Sequence, residues 1–352
     1  MNTPPSPADR LAGPERTTSE EIAAQVVAAA VWAPSVHNTQ PWWFGAHGQE
    51  ISLYADASRQ LGVADPVGRE MMISCGAALF TARLALRSLG YIPETCVLPD
   101  PGQPSLVARV GWQRRADPAE YEQQLFGWVR QRRTHRGGFG PLPLAPACSA
   151  VSSSGAGRDG AVLRIITGEG SRAALAAVVE TAERAMRLDG AYVQELASWV
   201  SPPGSTRSDG VPATAYPARP ERTDPYFPGR DFAHGRGWGL PRFSFAAASR
   251  SAGVVCLLAT EADRPADWVH AGQALQRILL ASATCGAAAA LHSQPLELPW
   301  LRDYICAHWC DGTYPQLLLR LGTVAQAAVS VRRPPGSVLV TSGGEPPGAG
   351  HD

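Results

Sequence analysis

The stretch CGAALFTARLALRSLG, residues 75–90, decides the fold because much of it returns as AGQALQRILLASATCG at residues 271–286. At one fixed offset Gly76 corresponds to Gly272, and several leucine and alanine positions around them correspond as well. Both stretches are long and almost wholly apolar, which is typical of helices that are buried on every side. We therefore expect the two helices to bury each other at the centre of the molecule.

A second correspondence lies downstream, where ARVG at 108–111 is echoed by LRLG at 319–322. Helix, strand and glycine thus recur in the same order, which indicates an internal repeat. The sequence predicts an α+β fold built from two related halves. The predicted segments are a disordered tail, a first half, a second half and a second tail, at residues 1–17, 18–130, 131–340 and 341–352.

Composition excludes several classes of function. The 352 residues carry no net charge, so no overall field attracts nucleic acid or acidic membrane. All 31 basic residues are arginine, which excludes Schiff-base chemistry and leaves guanidinium, backbone NH and hydroxyl groups to bind anions. The first twenty residues have no apolar core of a signal peptide, and no stretch resembles a membrane span, so we expect a cytoplasmic protein.

Local signals predict the main elements of the first half. TTSEE at 17–21 resembles a capping box that opens a helix. WWFGA and EISLYA, separated by HGQ, predict a hairpin. Asp65 and Pro66 predict the start of the long apolar helix, and Gly90 predicts its end.

An insertion interrupts the second half at residues 198–246. It is rich in Pro, Gly, Arg and aromatic residues and has no periodicity. A segment of this length inside a compact domain is typical of a lid, a binding loop or disorder. Its aromatic side chains argue against simple disorder, so we predict a lid.

Three polar clusters are candidates for chemistry. APSVHNTQPWW at 33–43 places five hydrogen-bonding side chains beside two tryptophans. RRTHR at 132–136 can grip a phosphate through charge-assisted hydrogen bonds, or it can be a solvated arginine face. Arg332 and Arg333 present the same two alternatives.

Taken together, APSVHNTQPWWF, RRTHR and PQLLLRLGT followed by RRP resemble the nitroreductase-type flavoproteins. ADPVGREMMISCGAAL, DGVPATAY and FPGRDF make the chain similar to the Acg-like branch, in which two nitroreductase halves are fused. The resemblance covers about residues 20–340. It implies a nitroreductase fold whose two tandem halves form a pseudo-dimer within one chain, and one FMN site per chain.

The resemblance also assigns residues to that site. Arg132, Arg133, Thr134 and Arg136 would hold the phosphate and ribityl oxygens of FMN, and Arg332 and Arg333 would complete the phosphate grip. Ser35 and Asn38 would reach the cofactor from the first half. A loop after the central helix of the second half would contact the flavin ring, and it comprises His292, Ser293, Gln294 and Pro295. No metal is expected, and no side chain need act as an essential acid or base.

The implied activity is FMN-dependent transfer of two electrons from NAD(P)H to a small acceptor such as a nitroaromatic or a quinone. Two alternatives stay open. The predicted lid gives a rival to this reading, a protein that sequesters FMN without turnover. A biosynthetic flavin dehydrogenase or oxidase with one dedicated substrate is the other. We expect a monomer that closes its own site, with further pairing to a homodimer possible, and no nucleic-acid or membrane partner.

Overall fold

The computed structural model describes residues 18–140, 157–217, 221–234, 250–324 and 329–341. The predicted tail at 1–17, most of the tail at 341–352 and part of the predicted lid at 198–246 lie outside the described residues. In the first half the elements are α1 (Ser19–Ala30), β1 (Trp42–His47), β2 (Glu50–Ala55), α2 (Arg69–Ser88), β3 (Tyr91–Val97), β4 (Leu106–Arg115) and α3 (Glu120–Gly127).

The remaining elements follow residue 157. They are β5 (Ala161–Ile166), α4 (Glu169–Leu188), α5 (Gly190–Ser198), β6 (Val200–Ser201), β7 (Val211–Pro212), β8 (Thr223–Asp224), β9 (Arg250–Ser251), β10 (Val254–Thr260), α6 (Pro265–Thr284), β11 (Ala287–Leu291), α7 (Gln294–Glu297), α8 (Pro299–Trp309), β12 (Tyr314–Thr323) and β13 (Leu339–Thr341). Helices and strands are mixed throughout, as an α+β fold requires.

Two local predictions are confirmed and one is wrong. Thr18 and Glu21 form the capping box of α1, with each side chain bonded to the backbone of the other residue. The hairpin of β1 and β2 is antiparallel over its whole length. Asp65 is not the N-cap residue of α2; Gly68 takes that position in the left-handed conformation, so the helix begins at Arg69 and not at Pro66. The Asp65 carboxylate still accepts the Met71 amide at 2.8 Å.

The central helices α2 and α6 cross in direct backbone contact. A Cβ on Gly76 would lie 2.2 Å from the carbonyl oxygen of Val269, and one on Gly272 would lie 2.0 Å from that of Ile73. The offset that relates Gly76 to Gly272 also relates Ile73 to Val269. The contact is therefore reciprocal, which is the pattern of an approximate twofold relation between two halves.

The sheets repeat the same topology. In the first half the strands run in the order β1-β2-β4-β3, and in the second half β5-β10-β12-β11 follows that order, with every neighbour antiparallel. The hairpin turn between β1 and β2 has no equivalent between β5 and β10. Residues 167–253 connect these two strands instead. The interruption of the repeat is therefore longer than the predicted insertion at 198–246, and it includes α4 and α5.

The last strand crosses from one half to the other. β13 pairs in parallel with β1, so Leu339, Val340 and Thr341 form the outer strand of the first half's sheet. Residues assigned by sequence to the second half and its tail thus complete the first half. The division of the chain at residue 130 stays a prediction.

No helix in the described ranges has both the length and the apolar character needed to cross a bilayer. The longest helices, α2, α4 and α6, have 20 residues each. In α2 and α6 the apolar faces are covered within the chain, mainly by each other and by the two sheets.

The crossing makes a prediction about stability. Gly272→Ala should lower the free energy of unfolding by about 1–3 kcal/mol, because the added methyl group meets backbone atoms that cannot move aside. Urea unfolding followed by far-UV circular dichroism measures the change. Gly170→Ala in α4 is the matched control, since no atom lies within 4 Å of its Cβ. Equal stability of the two variants would contradict the close crossing.

Candidate functional site

A pocket opens where the two halves meet. The first half contributes the loop after α1 and one face of α2, and the second half contributes the 134–137 segment, the end of β11 and β12. The inserted segment closes the remaining side with Phe227, Arg230 and Phe232. The empty volume is about 1010 Å³, part of it open to solvent, which is enough for a cofactor-sized ligand.

The loop after α1 is held in an unusual conformation. His37, Asn38 and Gln40 all have positive φ, which non-glycine residues adopt only where the surroundings enforce it. The backbone amide of Gln40 donates to Ser35 Oγ at 2.9 Å, and the backbone amide of Val36 donates to Ser74 Oγ at 3.3 Å. This strained loop forms the pocket wall on the first half's side.

Asn38 joins the loop to the rest of the chain. Its side-chain amide nitrogen, Nδ2, donates to the Gly210 carbonyl at 2.9 Å and to the Val331 carbonyl at 3.2 Å. Its Oδ1 accepts from Arg332 Nη1 at 3.0 Å. The inserted segment and the 330–333 segment are thus fastened to the wall by one side chain.

An arginine cluster forms one end of the site. Arg133, Arg136 and Arg332 line a smaller recess together with Thr134, Ser35 and Asn38, and this recess shares four residues with the main pocket. Arg133 and Arg332 lie over the Trp32 ring, at 4.8 and 5.6 Å from its centroid. Residues from three distant parts of the sequence therefore meet here, as the resemblance implied.

The cluster has too few acceptors for its positive charge. Within the described part of the chain, Arg132, Arg133 and Arg332 form no ion pair with a carboxylate. The Nε of Arg332 and the Nε and Nη1 of Arg132 are buried without a hydrogen-bond partner. Burial, with neighbouring guanidinium groups, lowers the pKa of Arg132 to about 9 and that of Arg136 to about 10. A bound anion would relieve both the repulsion and the missing hydrogen bonds.

Two of the predicted phosphate ligands have a different environment. Arg333 does not line the recess, because its guanidinium donates to the carbonyls of Gln40, Trp42 and Ser337. Arg132 faces a second recess beside Ala289 and donates to the Trp32 carbonyl at 3.3 Å. Both residues shape the site, and Arg132 keeps unpaired donors, but Arg133, Arg136 and Arg332 are the arginines exposed to the recess.

The predicted ring-contacting loop is divided in the same way. His292 and Ser293 line the main pocket, whereas the Gln294 side-chain amide donates to Glu183 and Pro295 is buried outside the pocket lining. The backbone amide of His292 is engaged with the Leu318 carbonyl at 2.8 Å and is not available to a ligand.

The His292 side chain is held as a neutral acceptor. Its Nε2 accepts from Arg320 Nε at 2.8 Å. Burial and the positive charge of Arg320 hold the pKa of His292 well below its usual value. The guanidinium of Arg320 is itself packed between the rings of Phe139 and Phe227.

Sequence reasoning missed a buried ionic network on the far side of the pocket. Arg230, from the insertion, donates to both oxygens of Glu297 at 3.0 and 2.5 Å and to Ser293 Oγ at 2.8 Å. The Asp231 amide donates to Glu183 at 2.9 Å. Together these contacts fasten the described part of the insertion to the second half. The aromatic residues of FPGRDF indicated that this part of the insertion is ordered, but nothing in the sequence identified Glu297 as the partner of Arg230.

Glu70 is the second residue that the sequence reasoning missed. It lies at the start of α2 and lines the pocket together with Ile73 and Ser74, one helical turn further on. His37 also lines it and meets Phe232 edge to face at 5.8 Å. Burial and the nearby arginines hold the pKa of His37 well below its usual value. The pocket wall thus carries the carboxyl groups of Glu70 and Glu221 together with histidines whose pKa is lowered.

The fold and site define an α+β protein with two related halves and, between them, a pocket with arginine side chains at one end. A Mycobacterium tuberculosis protein named "Putative NAD(P)H nitroreductase Rv3131" is 33% identical over 303 residues, covering 86% of this chain and 85% of that protein. A second, "Putative NAD(P)H nitroreductase acg" from the same organism, is 27% identical over 310 residues, covering 88% and 91%. The chain belongs to this family of nitroreductase-like proteins, so the predicted family is confirmed.

Among solved structures, a nitroreductase with bound FMN from Bacteroides fragilis is similar to this chain, with 11% sequence identity and a TM-score of 0.33 over 64% of this chain and 96% of that chain. No family model matches the chain.

The Arg230–Glu297 pair predicts a large and specific effect on stability. Arg230→Gln should lower the free energy of unfolding by about 3–5 kcal/mol, since Glu297, with 1% of its side chain exposed, would be left without its cation. Denaturant unfolding measures the loss, and hydrogen exchange should rise in residues 221–234. Arg184→Gln removes the exposed pair with Glu180 and should cost less than about 1 kcal/mol. Similar losses in both variants would refute the fastening role of Arg230.

Proposed function

We propose that the protein is an FMN-dependent oxidoreductase that takes electrons from NAD(P)H and passes them in pairs to a small acceptor of the nitroaromatic or quinone class. One observation carries the proposal. At one end of the pocket between the two halves lie largely buried arginines that pair with no carboxylate of the described residues, and the pocket is apolar further in. The names of the relatives and of the FMN-bound neighbour support the same reading.

The arginine cluster suits the phosphate of FMN. Arg133, Arg136 and Arg332 offer guanidinium donors to one small recess, and Thr134 and Ser35 add hydroxyl groups beside it. A dianionic phosphate would supply the acceptors that the buried guanidinium groups lack, and arginine binds such groups through paired hydrogen bonds. A neutral ligand would leave the repulsion among these groups in place.

The main pocket suits a flat heteroaromatic ring. Ile73 from α2, Leu275 from α6 and Leu317 from β12 give it apolar walls, and Phe227 adds an aromatic one. His292 and Ser293 bring polar groups to its edge. The cofactor would supply the redox chemistry, while the protein binds it, orients it and limits access to it. Partners beyond NAD(P)H and the acceptor are not required, and a single chain provides both walls of the site.

The buried Arg230–Glu297 pair favours a second candidate, a protein that holds FMN under the insertion without turnover. Turnover requires the two substrates to exchange at the ring, so the inserted segment must open. The two candidates differ only in whether it does so quickly enough.

The visible spectrum of the purified protein tests the proposal. After loading with FMN and removal of free cofactor, we expect a flavin band that bleaches when NADPH or NADH is added anaerobically, and that returns when a quinone is added. A band that resists both donors but bleaches with dithionite would favour the FMN-holding candidate. Absence of a band after loading would refute both.

Arg332→Gln should weaken FMN binding by at least about tenfold, because it removes a charge-assisted contact to phosphate. Its effect on riboflavin, which lacks the phosphate, should be small. Quenching of flavin fluorescence during titration gives both dissociation constants. Arg333→Gln is the matched control, since its side chain binds backbone carbonyls outside the recess, and it should leave the ratio of the two constants unchanged. Equal losses of FMN and riboflavin binding in Arg332→Gln would move the phosphate site elsewhere.

A further inference from the structure

Glu70 is a buried carboxyl group that reaches the pocket from the central helix α2. It is 4% exposed and lines the same wall as Ile73 and Ser74. Its Oε1 accepts from Arg69 Nη2 at 3.1 Å. Arg69 also binds a second acceptor, since its Nη1 donates to the backbone carbonyl of Gln316 at 2.7 Å. Glu70 is therefore only partly compensated by its own neighbour on the helix.

A second carboxylate, Glu297, acts on Glu70 from the other side. Glu297 has its own cation in Arg230 and also accepts a hydrogen bond from Ser293 Oγ at 2.7 Å. Of two interacting carboxyl groups, the one with the better cation stays ionised and the other retains its proton. Burial and the charge of Glu297 raise the pKa of Glu70 to about 8.

Other charged and titratable groups surround this pair. Arg69, Asp65, Glu297 and Arg230 act on Glu70 directly. The remaining such groups on the pocket wall are His37, His135, Arg136, Glu221, His292 and Arg320. Burial holds the pKa of each of the three histidines below its usual value, so a neutral imidazole is a poor proton donor here. Glu70 is the pocket-lining group best placed to keep a transferable proton at neutral pH.

We propose that Glu70 is the proton donor to the acceptor substrate in this pocket, which rests on the proposed oxidoreductase function. The reduced cofactor, when bound, would supply a bound quinone with a hydride, that is, two electrons and one proton. The O–H bond of the Glu70 carboxyl group breaks as a new O–H bond forms on the quinone oxygen, which gives the hydroquinone. The Glu70 carboxylate then takes a proton from solvent. The reducing equivalents come from NAD(P)H, and the proton balance is closed by water.

The experiment compares two acceptors in the FMN-loaded, pre-reduced protein. Stopped-flow absorbance follows reoxidation of the flavin by a quinone, which must gain a proton, and by ferricyanide, which gains none. Glu70→Gln should slow the quinone reaction at pH 7 by about 10²-fold and leave the ferricyanide reaction unchanged. Glutamine keeps the size and neutral charge of the protonated side chain, so folding should be preserved. Equal slowing with both acceptors, or no slowing, would overturn the assignment.

The pH dependence gives a second test. The quinone rate should fall as pH rises through about 8, where Glu70 loses its proton. Glu297→Gln should move this midpoint to lower pH, because it removes the negative charge that favours the protonated form. Glu70→Gln should abolish the dependence, and Glu94→Gln, an exposed carboxylate, should leave it unchanged. A midpoint unaffected by Glu297→Gln would contradict the coupling on which the proposal depends.

A measurement without turnover separates this proposal from the proposed function. Infrared difference spectra of the cofactor-free protein should contain the C=O band of a protonated carboxyl group at pH 7, lost in Glu70→Gln and retained in Glu94→Gln. Failure to bind FMN or to accept electrons from NAD(P)H would refute the proposed function and leave this band intact. Absence of the band in the wild type would overturn the role of Glu70 alone.

Discussion

The close crossing of α2 and α6 is the constraint on which the rest of the structure depends. Gly76 and Gly272 let two helix backbones touch, so the halves approach more closely than any side chain at these positions would allow. That approach brings the strained loop of the first half opposite the arginine segment of the second. It also turns the start of α2 toward the pocket, where the charges of Glu297 in α7 and Arg230 in the insertion act on Glu70. If the two helices moved apart, the arginine recess would widen and Glu70 would move away from Glu297.

The site is organised by two contrasting solutions to the cost of buried charge. On one side, Arg230 and Glu297 neutralise each other, and the pair fastens the insertion. On the other, the arginines around Trp32 pair with no carboxylate of the described residues and are held by ring contacts, backbone carbonyls and the side chains of Asn38 and Ser330. A chain that contains no lysine has only guanidinium groups for this purpose. Since burial of unpaired cations is costly, such a cluster is better explained by an absent anionic ligand than by stability.

Much of this arrangement was predictable from local patterns. The capping box at Thr18, the β1–β2 hairpin and the Gly76–Gly272 repeat each depend on neighbouring residues or a fixed spacing, and the structure has all three. The sequence could not place β13 beside β1, because three residues after a proline-rich segment have no periodicity of their own. Nor could the sequence tell that Arg332 lines the recess while Arg333 does not, since two adjacent arginines differ only in the carbonyl groups that surround them in the fold. Glu70 was missed for a related reason, because a single acidic residue at the start of an apolar helix is also an ordinary partner of the helix dipole.

The insertion links access to the pocket with its proton chemistry. Arg230 belongs to the segment that closes the pocket, yet it is also the cation paired with Glu297, whose charge acts on Glu70. Opening would admit water to Glu70 and stabilise its ionised form, because desolvation is the largest cause of its raised pKa. Closure would restore the proton as it excludes solvent. One cycle of opening and closing would therefore both exchange the substrate and return a proton to Glu70. An insertion that blocks access when shut is thus compatible with an enzyme as well as with a protein that only holds its cofactor.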